Sequence, residues 1–373
     1  MTAAALPEAE RRLSIIVLGL SITSSWGNGH ATTYRALMRA LVSRGHDVLF
    51  LERDVPWYRQ NRDLPEPPYG RTRLYGSLEE LEQSWAAAIR DADLVILGSY
   101  VPEGIAAGRL VTRLARGVTA FYDIDTPVTL AALAAGRCEY LSKTLIPFFD
   151  LYLSFTGGPT LAHLERGYRA RMARALYCAV DPEVHQPEAR EPRWDLGYLG
   201  TYSPDRQPAL DVLLLQPAQA LPSARFVVAG PQYPDSIAWP RNVERIEHLP
   251  PGQHSRFYTS QRFTLNVTRA DMVRLGYSPS VRLFEAAAAG APIISDYWSG
   301  IEELFELGTE ILIARSTDQV IRYLREMDDD DRLAVAQRAC ARVLSRHTAW
   351  HRAVALEGFW REARVASDQR IPA

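Results

Sequence analysis

Short, almost wholly apolar runs alternate along the chain with amphipathic stretches. Residues 14–20 read as an apolar strand, and 32–44 repeat apolar residues at helical spacing through Leu37, Ala40 and Leu41. Gly45-His46 leads into a strand over 47–52. The order recurs as helix 78–90, strand 94–98, helix 105–116, and strands 118–123 and 151–155. Unbroken apolar runs fit strands buried on both faces, and this βαβα order predicts a parallel sheet covered by helices.

Between Cys178 and Trp194 the pattern dissolves into Ala-Val-Asp-Pro-Glu-Val-His-Gln-Pro-Glu-Ala-Arg-Glu-Pro-Arg, whose proline and charge mark a linker. A second alternation follows, with strands at 196–199, 225–229, 263–267, 291–295 and 310–314. The acidic run Asp328–Asp331 reads as a solvated turn, and the helical tail beyond it carries Trp350, Phe359 and Trp360, which need a surface to cover. The expected organisation is a first domain over 1–178, a linker over 179–194, a second domain over 195–345 and a helical tail over 346–373.

At 373 residues the chain can bury two cores. A net charge of -2 gives no drive toward nucleic acid. Lys143 is the only lysine, and no Gly-rich loop precedes it, so Walker-type and pyridoxal chemistry are poor readings. Three distant cysteines, Cys138, Cys178 and Cys340, fit a reducing compartment. The N-terminal stretch 1–12 is polar, and the apolar run at 15–22 is too short to span a bilayer. The expectation is a cytoplasmic protein without a transmembrane segment.

The densest chemistry lies in Ser278-Pro-Ser-Val-Arg-Leu-Phe-Glu-Ala-Ala-Ala-Ala-Gly-Ala-Pro-Ile-Ile-Ser295. Ser278 reads as an N-cap with Pro279 at the first helical position, and the free N–H groups there suit phosphate. Glu285 follows roughly 10 Å along the axis, placed to accept hydrogen bonds from ribose hydroxyls. Ala286 to Ala289 keep the helix thin, Gly290 suits the C′ position, and a buried strand follows. Upstream, Gly197-Tyr-Leu-Gly-Thr-Tyr-Ser-Pro-Asp-Arg206 reads as a strand end, a Gly-rich turn at Gly200 and a helix started by Ser203-Pro204. Arg206 in its first turn has the fork geometry that matches diphosphate oxygens.

These two segments resemble the donor site of GT-B glycosyltransferases. Taken with Asn266-Val-Thr-Arg-Ala-Asp-Met-Val-Arg-Leu-Gly-Tyr277, Asp296-Tyr-Trp-Ser-Gly-Ile-Glu-Glu-Leu-Phe305 and Ala179-Val-Asp-Pro182, they resemble the CgeB-type, spore-maturation family within that group. The likeness is dense in the second half and looser in the first. It implies an α/β GT-B fold, with two Rossmann-like domains facing a cleft and a C-terminal helix returning to the first. It further implies a transferase using a nucleotide-sugar donor and a hydroxyl acceptor, with no cofactor and no metal. Gly200, Ser203, Arg206, Arg269, Ser278, Ser280 and Arg282 are the diphosphate candidates, and Glu285 is the ribose candidate. Many retaining members carry a second glutamate where this chain has Tyr277, so inversion is the expected outcome, with Tyr277 on the sugar side.

In the first half, Ser24-Ser-Trp-Gly-Asn-Gly-His-Ala-Thr32 joins the first strand to the first helix. Gly27, Asn28 and Gly29 would turn the backbone under a sugar, and His30 opens the helix. Several inverting GT-B families place a catalytic base here, held by an aspartate from a later strand end; Asp123 or Asp125 would supply it. A histidine titrating near neutrality suits removal of a hydroxyl proton. His163, His185, His248, His254, His347 and His351 lack metal-ligand spacing, and a surface role is expected for the last pair.

Three other functions remain open to the same residues. A dinucleotide oxidoreductase would use Gly27-x-Gly29 and Glu52, although Thr32 stands at the third glycine position and the loop is long. A sugar-nucleotide epimerase would need the same donor site, and a non-catalytic sugar-nucleotide-binding protein would bind donor without turning it over.

Overall fold

The structure, a computed structural model, describes residues 11–188 and 190–369; the first ten residues of the polar N-terminal stretch lie outside them. The chain divides into two compact units. One holds the residues up to Ser154, Leu161–Ala175 and the chain from Ala353 on; the other holds Phe155–Thr160 and Leu176–Arg352.

The first unit is built on strands β1 (Ser14–Gly19), β2 (Asp47–Arg53), β3 (Arg71–Tyr75), β4 (Leu94–Gly98), β5 (Val118–Asp123), β6 (Leu151–Ser154) and β7 (Ala173–Ala175). They form one parallel sheet in the order β3-β2-β1-β4-β5-β6-β7. Every residue of β4 and β5 is buried, as expected for central parallel strands covered on both faces. The order reverses between β1 and β4. Loops 20–29 and 99–103 therefore leave the sheet at its switch point, where open α/β sheets bind ligands.

The second unit repeats the plan with β8 (Trp194–Leu199), β9 (Phe226–Ala229), β10 (Val243–Ile246), β11 (Gln261–Asn266), β12 (Ile293–Ser295) and β13 (Leu312–Ile313). Their order is β10-β9-β8-β11-β12-β13, again all parallel. Leu196, Tyr198, Leu214, Phe226, Val228, Phe263 and Leu265 anchor a buried core on this sheet. Its switch point lies between β8 and β11, beside Gly200 and the segment 267–269.

The first domain was expected to run unbroken to residue 178. Phe155–Thr160 instead belongs to the second unit, because its polar groups are satisfied there. The Gly157 N–H donates to the Tyr277 carbonyl at 2.9 Å, and the Thr156 and Ser278 hydroxyls pair at 2.9 Å. The tail, expected from 346, joins the first unit only at Ala353, since Arg352 still donates to the carbonyls of Tyr177 and Cys178.

Beyond that point the helix Ala349–Asp368 is pinned by a buried ion cluster. Glu357 accepts from Arg44 and from His46 Nε2 at 2.8 Å. Leu13 N–H donates to His46 Nδ1, so the ring proton sits on Nε2 and points at the carboxylate. Trp360 adds a bond from its indole N–H to the Asp93 carbonyl at 3.0 Å. His347, expected at the surface, is buried and stacks on Phe284 with ring centroids 5.0 Å apart. Burial pushes its pKa down to about 3.

Candidate functional site

The second unit gathers cations at its switch point. Arg282, in the helix Val281–Ala288, reaches back to the end of β8, where its Nε donates to the Leu199 carbonyl. One Nη donates to Asn266 Oδ1 at 2.8 Å, and the guanidinium lies 4.8 Å above the Tyr198 ring. Gly200 makes room for it: a Cβ there would stand 2.9 Å from the Arg282 guanidinium.

Arg206 donates to the Thr201 carbonyl at 2.6 Å, and its buried Nε has no hydrogen-bond partner. Burial lowers its pKa, and the charges of Arg282 and Arg269 lower it further. The Arg282 and Arg269 charges thus press on Arg206 beside its unsatisfied donor, with the Asp205 carboxylate as a partial counter-charge, and this donor suits an anion.

The helix start differs from the expected one. Ser278 is not the N-cap and Pro279 is not helical. The helix begins at Val281 with Ser280 as cap, its hydroxyl accepting from the Arg282 N–H at 3.4 Å. Ser278 is drawn away by Thr156. Glu285 therefore lies about 6 Å from the helix start rather than 10 Å. Two other candidates serve the loop itself: the Ser203 hydroxyl donates to Asp205, and the Gly200 N–H donates to the Ala229 carbonyl at 2.8 Å. Arg206 is the residue preceding the helix Gln207–Leu210, not part of its first turn. Gly290 takes the C′ position with a φ of +74°.

Tyr277 holds a left-handed φ of +49°, a strained conformation for a bulky residue. Two glycines make this possible. Cβ atoms on Gly158 and Gly300 would lie 2.5 Å and 2.4 Å from the Tyr277 ring.

Glu285 is buried, and Tyr258 donates to its Oε2 at 3.2 Å. Burial works against its charge, but His185, His254 and Tyr258 outweigh that and hold its pKa down to about 2. Neither histidine nor Tyr258 was a candidate in the sequence.

In the first unit Gly27 takes a φ of +59°, whereas Gly29 sits at −64°, which any residue adopts, so only the first glycine is required. Asn28 holds the turn through bonds to the carbonyls of Ser21 and Ser24 and accepts from the His30 N–H at 3.1 Å. His30 opens the helix His30–Ser43, and its Nδ1 has no hydrogen-bond partner. Burial pushes the imidazole pKa down to about 4, well below the expected neutrality.

Asp123 does not orient that ring. Its carboxylate accepts from Tyr152 at 2.6 Å and from Thr129 at 2.6 Å. Burial, against those two bonds, raises its pKa to about 6. Asp125 comes nearer through an intermediary: the Tyr100 hydroxyl donates to its Oδ2 at 3.2 Å, and the Tyr100 ring meets His30 edge-on at 5.3 Å. Tyr100 carries a φ of +63° just after β4. Nothing in its residue type announced that conformation.

The two titrations have opposite signs. The native pKa of Asp123 lies above its ordinary 3.8, so stability declines as pH rises from there to about 6. That of His30 lies below 6.5, so stability is lost as pH falls from 6.5 to about 4. Asp123→Asn should remove the first slope and raise the melting temperature near pH 7. Denaturant titrations at a series of pH values measure this; an unchanged slope would mean that Asp123 ionises normally.

Glu52, the acid a dinucleotide site would use, is fully buried and accepts from the Ser21 and Thr23 hydroxyls and the Ile22 and Thr23 N–H groups at 2.7–3.1 Å. Four donors already occupy it, which removes it as a ribose ligand and argues against that function.

Both units have the architecture of the GT-B glycosyltransferases. Residues 206–358 match a family described as glycosyl transferase-like. Among solved structures, HepE of Anabaena in complex with UDP and glucose is similar at 14% identity and a TM-score of 0.67, over 94% of this chain and 100% of that one. Sucrose-phosphate synthase of Thermosynechococcus elongatus is similar at 13% identity and 0.65, over 95% and 100%. A putative UDP-N-acetylglucosamine 2-epimerase of Listeria monocytogenes is similar at 14% identity and 0.52, over 93% and 95%. No curated protein matches the chain in sequence. Among the described residues, no helix is long and apolar enough to cross a membrane.

Proposed function

We propose that the protein is a glycosyltransferase that takes a sugar from a nucleoside diphosphate donor and transfers it to an acceptor hydroxyl. Its second unit binds the donor and its first carries the acceptor-side base. The observation that carries this reading is the unsatisfied Arg206 nitrogen beside Arg269 and Arg282. These cations, with the N–H groups after Ser280, take the diphosphate without a metal on it. Glu285 meets the ribose.

With Tyr277 in place of an extra glutamate, transfer inverts the anomeric centre, and His30 removes the acceptor proton. The likeness of its motifs to CgeB-type proteins supports that subtype and a donor diphosphate bound without a cofactor, and its three unpaired cysteines support a cytoplasmic setting.

Arg206→Ala should weaken nucleoside diphosphate binding far more than nucleoside binding, because the guanidinium meets phosphate oxygens bidentately. Arg206→Lys should rescue only in part, since a point charge does not reproduce a fork. Calorimetric titration of UDP against uridine, and of the other base pairs likewise, reads the difference. Equal losses for diphosphate and nucleoside would overturn the assignment. The epimerase alternative, raised by the Listeria similarity, is separated by the same preparation: an epimerase forms its product from donor alone.

A further inference from the structure

Three side chains from distant parts of the sequence converge inside the second unit. His185 lies in the segment before β8, His254 opens the helix His254–Thr259, and Glu285 lies in the helix Val281–Ala288. His185 Nε2 stands 3.7 Å from Glu285 Oε1, and His254 Nδ1 stands 3.6 Å from Oε2. One ligand atom from each residue lies within 4.8 Å of the others. His185 is 3% exposed and Glu285 4%.

The hydrogen-bond pattern leaves this group incomplete. Neither ring nitrogen of His185 has a partner, and neither does His254 Nδ1. The tautomer of His254 follows from its other nitrogen: Nε2 lies 3.3 Å from the Leu249 carbonyl, which only accepts. In the neutral ring the proton therefore sits on Nε2 and Nδ1 presents a lone pair to a carboxylate oxygen; a second proton or a metal ion at Nδ1 would supply the positive charge that the carboxylate favours. Two acceptors facing each other away from water repel unless something positive lies between them.

A shared proton would draw the atoms to about 2.7–2.9 Å. Ligands of a tetrahedral ion with bonds of about 2.0–2.1 Å stand roughly 3.4 Å apart; the two histidine–carboxylate separations, 3.7 and 3.6 Å, lie near this, and the three ligand atoms together lie within 4.8 Å. The outer contacts are also those of a metal centre. A backbone carbonyl fixes the histidine tautomer, and the Tyr258 hydroxyl holds the carboxylate at 3.2 Å.

We propose that His185, His254 and Glu285 bind a divalent transition-metal ion of the zinc class, with a fourth position left to water or substrate. Two imidazoles and a carboxylate are a donor set that zinc favours over magnesium or calcium. The ion sits on the carboxylate assigned above to ribose and fixes that carboxylate in place. The proposal stands on geometry and does not require the ribose assignment.

The test uses the full chain without an affinity tag, stripped with a chelator and then supplied with Zn²⁺ or Co²⁺. Elemental analysis should find about one zinc per chain, the single site the three ligands form. Co²⁺ should give the intense visible bands of a four-coordinate ion. His185→Ala and His254→Ala should each abolish those bands and weaken zinc binding by more than the roughly 10–100-fold typical of an outer-shell loss.

Substoichiometric zinc, a weak six-coordinate Co²⁺ spectrum, or bands that survive both substitutions would overturn the site. If either variant fails to fold, the wild-type spectrum decides. Nucleotide titration separates the two readings: diphosphate binding without metal binding removes the ion alone, and the reverse removes the donor assignment alone.

Discussion

His30→Ala is expected to leave donor binding nearly intact while lowering turnover by about 10²–10⁴-fold, the usual worth of a positioned general base. The structure changes the pH dependence that accompanies this. A histidine held at a pKa of about 4 is neutral throughout the physiological range. The wild-type kcat/KM should therefore stay level through neutrality and fall only below about pH 4, not near the ordinary 6.5. That limb should vanish in the mutant. A second limb near pH 6 would belong to Asp123 and should be absent from Asp123→Asn. Because Asp125 reaches the ring through Tyr100, Tyr100→Phe should lower turnover more than it lowers donor affinity. Near-normal turnover of His30→Ala, or retention of configuration in the fresh product by NMR, would leave the loop only a shaping role.

Glu285→Ala is expected to lower kcat/KM for donor by roughly 10²-fold. The carboxylate would give up as many as two charge-assisted hydrogen bonds to the ribose, each worth about 1.5–3 kcal/mol, and about 3 kcal/mol corresponds to that factor. The variant also strands the Tyr258 hydroxyl, which costs about 1–3 kcal/mol of stability as an unsatisfied buried group. Glu285→Gln keeps the shape and separates the effects: it should fold more stably than the alanine variant yet remain impaired with donor. Unchanged nucleotide affinity in a folded variant would remove the ribose role.

What could be read from the sequence followed burial. The central strands β1, β4, β5, β8 and β9 are short apolar runs because both their faces are covered. The strands that escaped notice, β3, β7 and β10, all lie at sheet edges. There Arg-Thr-Arg-Leu-Tyr and Val-Glu-Arg-Ile carry the charge that edges tolerate and central strands do not.

At the proposed donor site the sequence offered the residue types Arg206, Arg282 and Glu285, a chemically unusual set. It did not offer their local geometry. The helix begins two residues late because Thr156, 122 positions away, takes Ser278. The left-handed conformations of Tyr100 and Tyr277 likewise do not follow from their residue type. His185 and His254 were dismissed for lacking spacing, yet spacing is informative only when ligands share one element. Here three elements bring them together.

The central claim is that the switch point of the second unit binds a nucleoside diphosphate, and one measurement meets it most directly. The wild-type chain is titrated with UDP, GDP, dTDP and CDP and the matching nucleosides, with melting temperature as readout. A ligand specific to the native state at about 100 times its Kd adds about 2.7 kcal/mol of stability. One diphosphate should raise the melting temperature clearly above its own nucleoside, and Arg206→Ala should abolish that difference. A melting temperature unmoved by all four diphosphates, or moved equally by their nucleosides, would contradict the account.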